Sequence, residues 1–113
     1  MPHIIIEYPQ QQISEEQLPG ILKSMHEAVV ASGLFESSHI KTRAYPIRFY
    51  TNAGGDKPYI HTVARIKSGR NAEQKKQLSE AILAALCAQN LAPSVITVEV
   101  IDMDRDSYTK FSA

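Results

Sequence analysis

The chain has 113 residues, 43% of them apolar, enough for one cored domain, too few for two, and too apolar for a disordered chain. Twelve basic residues balance twelve acidic ones, so no global field points at nucleic acid or an anionic membrane. A single cysteine, Cys87, excludes an internal disulfide framework and fits a reducing compartment.

The opening MPHIIIEY predicts a strand over residues 2–8, built on Ile4, Ile5, Ile6 and Tyr8. Glu7 interrupts the apolar start and no basic segment precedes it, so no signal peptide is expected. No apolar run reaches membrane length. The reading is a cytoplasmic, soluble protein with one domain over 1–113. Pro2 admits two explanations. A strand tolerates proline at its first position because no ladder bond is lost there. Alternatively, loss of the initiator Met leaves a free secondary amine at the end of a strand. An α-amino group titrates at roughly 7.7–8.0, and burial or a nearby cation lowers that value, which makes such an amine a base at neutral pH.

After PQQQ, Ser14 and Gln17 form a capping-box signature, and Leu18, Ile21, Leu22, Met25, Ala28 and Val29 follow at helical spacing. Pro19 falls in the early turns and Gly33 marks a stop. HIKTRAYPIRFY predicts a strand over 39–50, bent or at an edge at Pro46. NAGGDKP is a turn cluster, and YIHTVARIK predicts a strand over 59–67. Asn71 and Gln74 form a second capping box. Leu78, Ala81, Ile82, Ala85 and Leu86 give that helix its buried stripe, with Glu73, Lys75, Lys76 and Glu80 as its solvated face and Cys87 read as an inert packed thiol. Ala92 and Pro93 are expected to end the helix, before a last strand over 94–102. The tail from Asp104 is polar, either loose or packed on a neighbour.

The order is one β-α-β pattern written twice. Two such units give an α+β domain whose four-stranded sheet carries both helices on one face. The strands are apolar in both phases: Ile4 and Ile6 against Ile5, Ile96 and Val98 against Val95 and Thr97. A sheet covered on one side should alternate, so the open face is expected to be buried against further copies of the chain.

His3, His26, His39 and His61 share no short ligand spacing, and no metal or cofactor is expected. What remains is cationic: Lys41, Arg43, Arg48, Arg65, Lys67 and Arg70 lie on or beside the two middle strands. Any of these can be an ordinary solvated side chain. Arg70 stands immediately before the second helix, whose N-terminus favours anions, so there a carboxylate or phosphate receptor is the better reading.

MPHIIIEY, EEQLPGIL, SGLF, IKTRAY and YIHTVARIKSGRNAEQKK, in this order over about residues 2–90, resemble the tautomerase superfamily, and within it the 5-carboxymethyl-2-hydroxymuconate delta-isomerases. The resemblance implies a homotrimer of paired β-α-β units with sheets facing inward. It also implies a cofactor-free isomerase of small anionic unsaturated acids, in which an amino-terminal proline moves a proton between oxygen and carbon of a dienol. Carried over by position, Pro2 is the acid/base, Arg70 holds a substrate carboxylate, and Lys41 and Arg43 are the paired basic residues of the second strand. Lys41 stands where the family pattern has arginine, which weakens a bidentate grip. His61 also matches, with a role that can be structural. A tryptophan-bearing stretch expected after the second strand is replaced by PIRFYTNAGGDKP, where Arg48 and Tyr50 can reshape the pocket. Two alternatives stay open: a promiscuous tautomerase or dehalogenase using the same proline, with Glu7 or Asp56 to activate water, and a non-catalytic oligomeric binding module if Met1 is retained.

Overall fold

The computed structural model describes residues 1–91 and 95–113. Strand β1 (His3–Pro9) is followed by a 3-10 turn (Glu15–Gln17) and helix α1 (Leu18–Ala31). A second 3-10 turn (Ser37–His39) leads into β2 (Lys41–Ile47), and then come β3 (Tyr59–Lys67), α2 (Ala72–Cys87) and β4 (Val95–Met103). The sheet order is β2-β1-β3-β4. β1 and β2 are parallel, β3 and β4 are parallel, and β1 and β3 join the two units antiparallel at the centre.

Both capping boxes form. Gln17 Oε1 accepts from the Ser14 N–H at 2.9 Å, and Asn71 and Gln74 exchange bonds of 2.9 and 2.8 Å. Pro19 sits within the first turn of α1, where its missing N–H costs nothing. Gly33, at φ +73°, follows the helix as expected. Ile21, Met25 and Val29 of α1 and Leu78, Ile82 and Leu86 of α2 are buried against Ile4, Ile6, Ile60, Ala64 and Ile66 of the sheet. Each such Ile or Leu contributes about 1.5–3 kcal/mol. Every buried sheet residue in β1 before Pro9 and in β3 has the same phase, so both helices cover one face.

The structure corrects several sequence expectations. β2 is shorter than 39–50, because β1 offers partners only from Lys41 to Ile47 and, among the described residues, no strand pairs with residues 48–50. α2 ends at Cys87, before Ala92 and Pro93, which lie outside the described residues, as does the Ser94 start foreseen for β4. Cys87 is exposed rather than packed: the stripe runs Leu78, Ile82, Leu86, and one further residue turns off it. Lys75 does not belong to a free solvated face, since its ammonium meets Asp102 of β4 at 3.1 Å. The tail folds back onto its own chain. Ser68 N–H donates to the Met103 carbonyl at 3.1 Å, and Arg105 donates to the Ser68 carbonyl.

Pairing register fixes the rows on the open face. Lys41, His3, Arg65 and Ile101 form one row, followed by Arg43, Ile5, Val63 and Glu99, then Tyr45, Glu7, His61 and Thr97. Ile5, Val63 and Ile101 are only partly buried within one chain. Among the described residues no helix is long and apolar enough to cross a membrane.

Candidate active site

At the end where β1 begins, the Lys41 N–H donates to the Pro2 carbonyl at 3.0 Å, so the bonding between β1 and β2 reaches back to Pro2. Pro2 is fully buried, and Met1 lies across it. The Met1 ammonium donates to the His39 carbonyl at 2.8 Å, and its sulfur accepts from the Lys67 N–H at 3.2 Å. Met1 thereby occupies one wall of a cavity of about 350 Å³, which Phe35, Lys67, Arg70 and Tyr108 also line. That volume lies at the small end of ligand pockets.

Arg70 is placed by a turn. β3 ends at Lys67, Gly69 takes φ +125°, a conformation that disfavours any side chain, and Asn71 then caps α2. The Arg70 guanidinium donates to the Leu34 carbonyl at 3.0 Å and lies 4.7 Å above the Phe35 ring. It is therefore directed to the loop after α1.

Arg43 NH1 lies 3.1 Å from His3 Nδ1, and His3 Nε2 lies 3.0 Å from the Tyr108 hydroxyl. The Lys67 ammonium sits 5.4 Å from the centre of the Tyr108 ring. Lys41 Nζ donates to the same His39 carbonyl as Met1, at 3.4 Å. Among the described residues, none of Lys41, Arg43, Lys67 or Arg70 makes an ion pair. Their partners are carbonyls, a ring nitrogen and aromatic faces, which leave the positive charge uncancelled. Glu36 also lines the cavity, and it faces His39 at 3.8 Å.

The electrostatics follow. The terminal amine is lowered to about 6, first by burial, then by the charge and hydrogen bond of Lys41, with Lys110 and Lys67 adding to it. His3 is held below its ordinary value by burial, then by Arg43, the terminal amine, Lys41 and Arg65.

Pro2, Lys41 and Arg43 stand at the start of β1 and β2, and Arg70 stands nearby at the start of α2; of the four, only Arg70 lines the cavity at Met1. The other predicted residues are elsewhere within the chain. His61 lies further along the open face, bonded to Thr97 at 2.7 Å and to Glu99 at 2.6 Å. Arg48 is beyond the far end of β2, over Phe49, and Tyr50 meets Tyr59 edge-on at 5.5 Å beside a hollow of about 120 Å³ that Glu7 lines. Neither Glu7 nor Asp56 lines the cavity at Met1. Sequence reasoning missed His3, Tyr108 and Lys110. His3 shares the strand phase of Lys41 and Arg43 and was findable from it. Nothing in the polar tail announces Tyr108.

Residues 2–101 match the family model for 5-carboxymethyl-2-hydroxymuconate isomerase. The chain belongs to this family. A curated relative, the 5-carboxymethyl-2-hydroxymuconate Delta-isomerase of Escherichia coli, is 29% identical over 82 residues, which are 71% of this chain and 65% of that relative's length. The 5-carboxymethyl-2-hydroxymuconate isomerase structure from Deinococcus radiodurans R1 superposes with a TM-score of 0.82 at 22% identity, over 99% of this chain and 90% of its own. A fused 4-OT wild-type symmetric trimer superposes at 0.81 and 18% identity, over 96% and 93%. At these identities the superpositions establish the isomerase-family fold. The family match stops at residue 101, so Arg105, Tyr108 and Lys110 lie outside it. Among the described residues, no three or more His, Cys, Asp or Glu side chains gather to hold a metal.

Proposed function

We propose that this chain is a cofactor-independent isomerase of unsaturated 2-hydroxy acids, 5-carboxymethyl-2-hydroxymuconate or a close relative, with Pro2 as general acid/base. The observation that carries the reading is the buried Pro2 under Met1, beside a cavity ringed by cations that have no carboxylate partner. Removal of Met1 opens the wall that it forms and turns the Pro2 nitrogen from an amide into an amine. The surroundings that lower the Met1 amine act on an amine one residue further in. Its lone pair takes the 2-hydroxyl proton, the O–H electrons form the carbonyl, the double bonds shift, and the proton returns to carbon. A positioned base supplies roughly 10²–10⁴-fold. Arg70, Lys41 and Arg43 hold the acid's carboxylates and the charge that develops on oxygen.

The assembly belongs to the same reading. Ile5, Val63 and Ile101 on the open face are covered in a homotrimer. Sedimentation is expected to give a three-chain particle, and a monomer at micromolar concentration contradicts this.

The test is an ultraviolet assay of ketonisation over a panel of 2-hydroxymuconate-type acids, with intact mass recorded on the native protein. Turnover by the form lacking Met1 is expected, and its loss in the form retaining Met1. One observation favours a second reading, a non-catalytic binding module: the Met1 ammonium already has an acceptor in His39. Retention of Met1 in native protein, with no turnover, selects that reading.

A further inference from the structure

We infer that Tyr108 is a hydroxyl donor to the substrate oxygen, aimed by a one-way hydrogen-bond chain from Arg43 through His3. The inference rests on the isomerase reading and adds to it a residue beyond the family match. The direction of the chain follows from chemistry. A guanidinium has five N–H donors and no acceptor. Arg43 NH1, 3.1 Å from His3 Nδ1, therefore donates, and Nδ1 accepts with its lone pair. In a neutral imidazole the proton must then sit on Nε2. Nε2–H, 3.0 Å from the Tyr108 oxygen, donates to it. With its oxygen accepting from His3, the Tyr108 hydroxyl is left with its own proton to give.

Where that proton goes is set by position. Tyr108 lines the cavity at Met1, and its hydroxyl touches the residue next to Pro2 in the chain. The ring is fixed on two sides, edge-on to His3 with centroids 6.1 Å apart and under the Lys67 ammonium. A donor fixed this way meets the oxygen that becomes anionic as Pro2 removes its proton. Protonation of His3 breaks the chain, because Nδ1 then has a hydrogen where Arg43 also presents one. The positive groups around His3, namely Arg43, Lys41, Arg65 and the terminal amine, oppose that protonation.

The test uses the full chain with its amino terminus verified by mass. Tyr108→Phe keeps the ring and both ring contacts and removes only the hydroxyl. It is expected to lower kcat for ketonisation at least about tenfold with KM within about twofold. His3→Leu is expected to fall similarly, and His3→Gln to stand well above His3→Leu, because its amide accepts and donates in the same direction. A ¹⁵N spectrum of the imidazole is expected to show the Nε2–H tautomer at neutral pH. Oxalate, which sets an anionic oxygen beside a carboxylate, is expected to bind Tyr108→Phe at least about fivefold more weakly than the unaltered chain. An Nδ1–H tautomer, an unchanged kcat in Tyr108→Phe, or oxalate binding that is absent or equal in the two chains overturns the inference. Failure of the isomerase reading is separate: it appears as undiminished turnover in Pro2→Ala, or as no turnover in the unaltered chain, and the tautomer and oxalate measurements then still decide the role of Tyr108.

Discussion

The two ends of the open sheet face treat charge in opposite ways. Toward the start of β3, His61 is clamped by Glu99 at 2.6 Å, with Glu7 as its register neighbour on β1. At the start of β1, Lys41, Arg43, Lys67 and Arg70 meet only neutral partners. Carbonyls, a ring nitrogen and aromatic faces hold these cations in place without cancelling them. Unbalanced charge kept close together raises the energy of the empty site, and an incoming anion relieves it. On the proposed function, the paired end serves structure and the unpaired end serves binding and catalysis.

If that contrast is correct, changes at the unpaired end disable turnover and leave folding intact, while changes at the paired end do the reverse. The largest effect is expected from Pro2→Ala: kcat falls roughly 10²–10⁴-fold, with the circular dichroism spectrum and the assembly unchanged. Equal turnover in the two proteins breaks the comparison outright. Next is Arg70→Ala. A charge-assisted hydrogen bond contributes about 1.5–3 kcal/mol, so kcat/KM for dienol acids is expected to fall by roughly 10–100-fold, and neutral dienols are expected to lose far less. Equal losses on both make Arg70 a structural tie between Leu34 and Phe35.

A smaller effect concerns pH. The protonated amine cannot act as a base, so kcat/KM rises as pH climbs through the amine's pKa. Lys41 is the foremost charged cause of the low value of the Met1 amine, and on the proposed function it acts in the same direction on a Pro2 amine. Lys41→Ala therefore moves the acidic limb of the profile upward in pH, and added salt shifts it the same way. A limb that stays in place in Lys41→Ala contradicts the electrostatic account. The smallest effect is at the other end. His61→Gln is expected to keep kcat within about twofold and to lower stability by ~0.2–1 kcal/mol in denaturant unfolding, as for a partly exposed side-chain pair. A large loss of turnover there would extend the functional surface across the whole sheet.

Much of this was legible before any coordinates. Helical spacing found both buried stripes, one capping box marked the start of α2 and the other the 3-10 turn that leads into α1, and the β-α-β pattern repeated twice fixed the layers. Pro2, Lys41, Arg43 and Arg70 are all named by the sequence, and their roles belong to the proposed function; of the four, Arg70 lines the cavity at Met1. What stayed hidden depends on register and on chain return. The length of β2 is set by where β1 stops offering partners, which no local property of HIKTRAYPIRFY encodes. Cys87 lies one position off its stripe, a difference of about 100° that a count of apolar residues does not see. Tyr108 is brought to His3 across 105 residues by a tail whose composition reads as solvated coil.

The central claim is an uncharged amino-terminal proline among unpaired cations, and a ¹⁵N titration of that proline in the native, mass-verified protein tests it most directly. A single transition below the roughly 7.7–8.0 of an ordinary terminal amine is the expected result. A transition at or above that range, or a proline nitrogen that remains an amide at every pH, contradicts it.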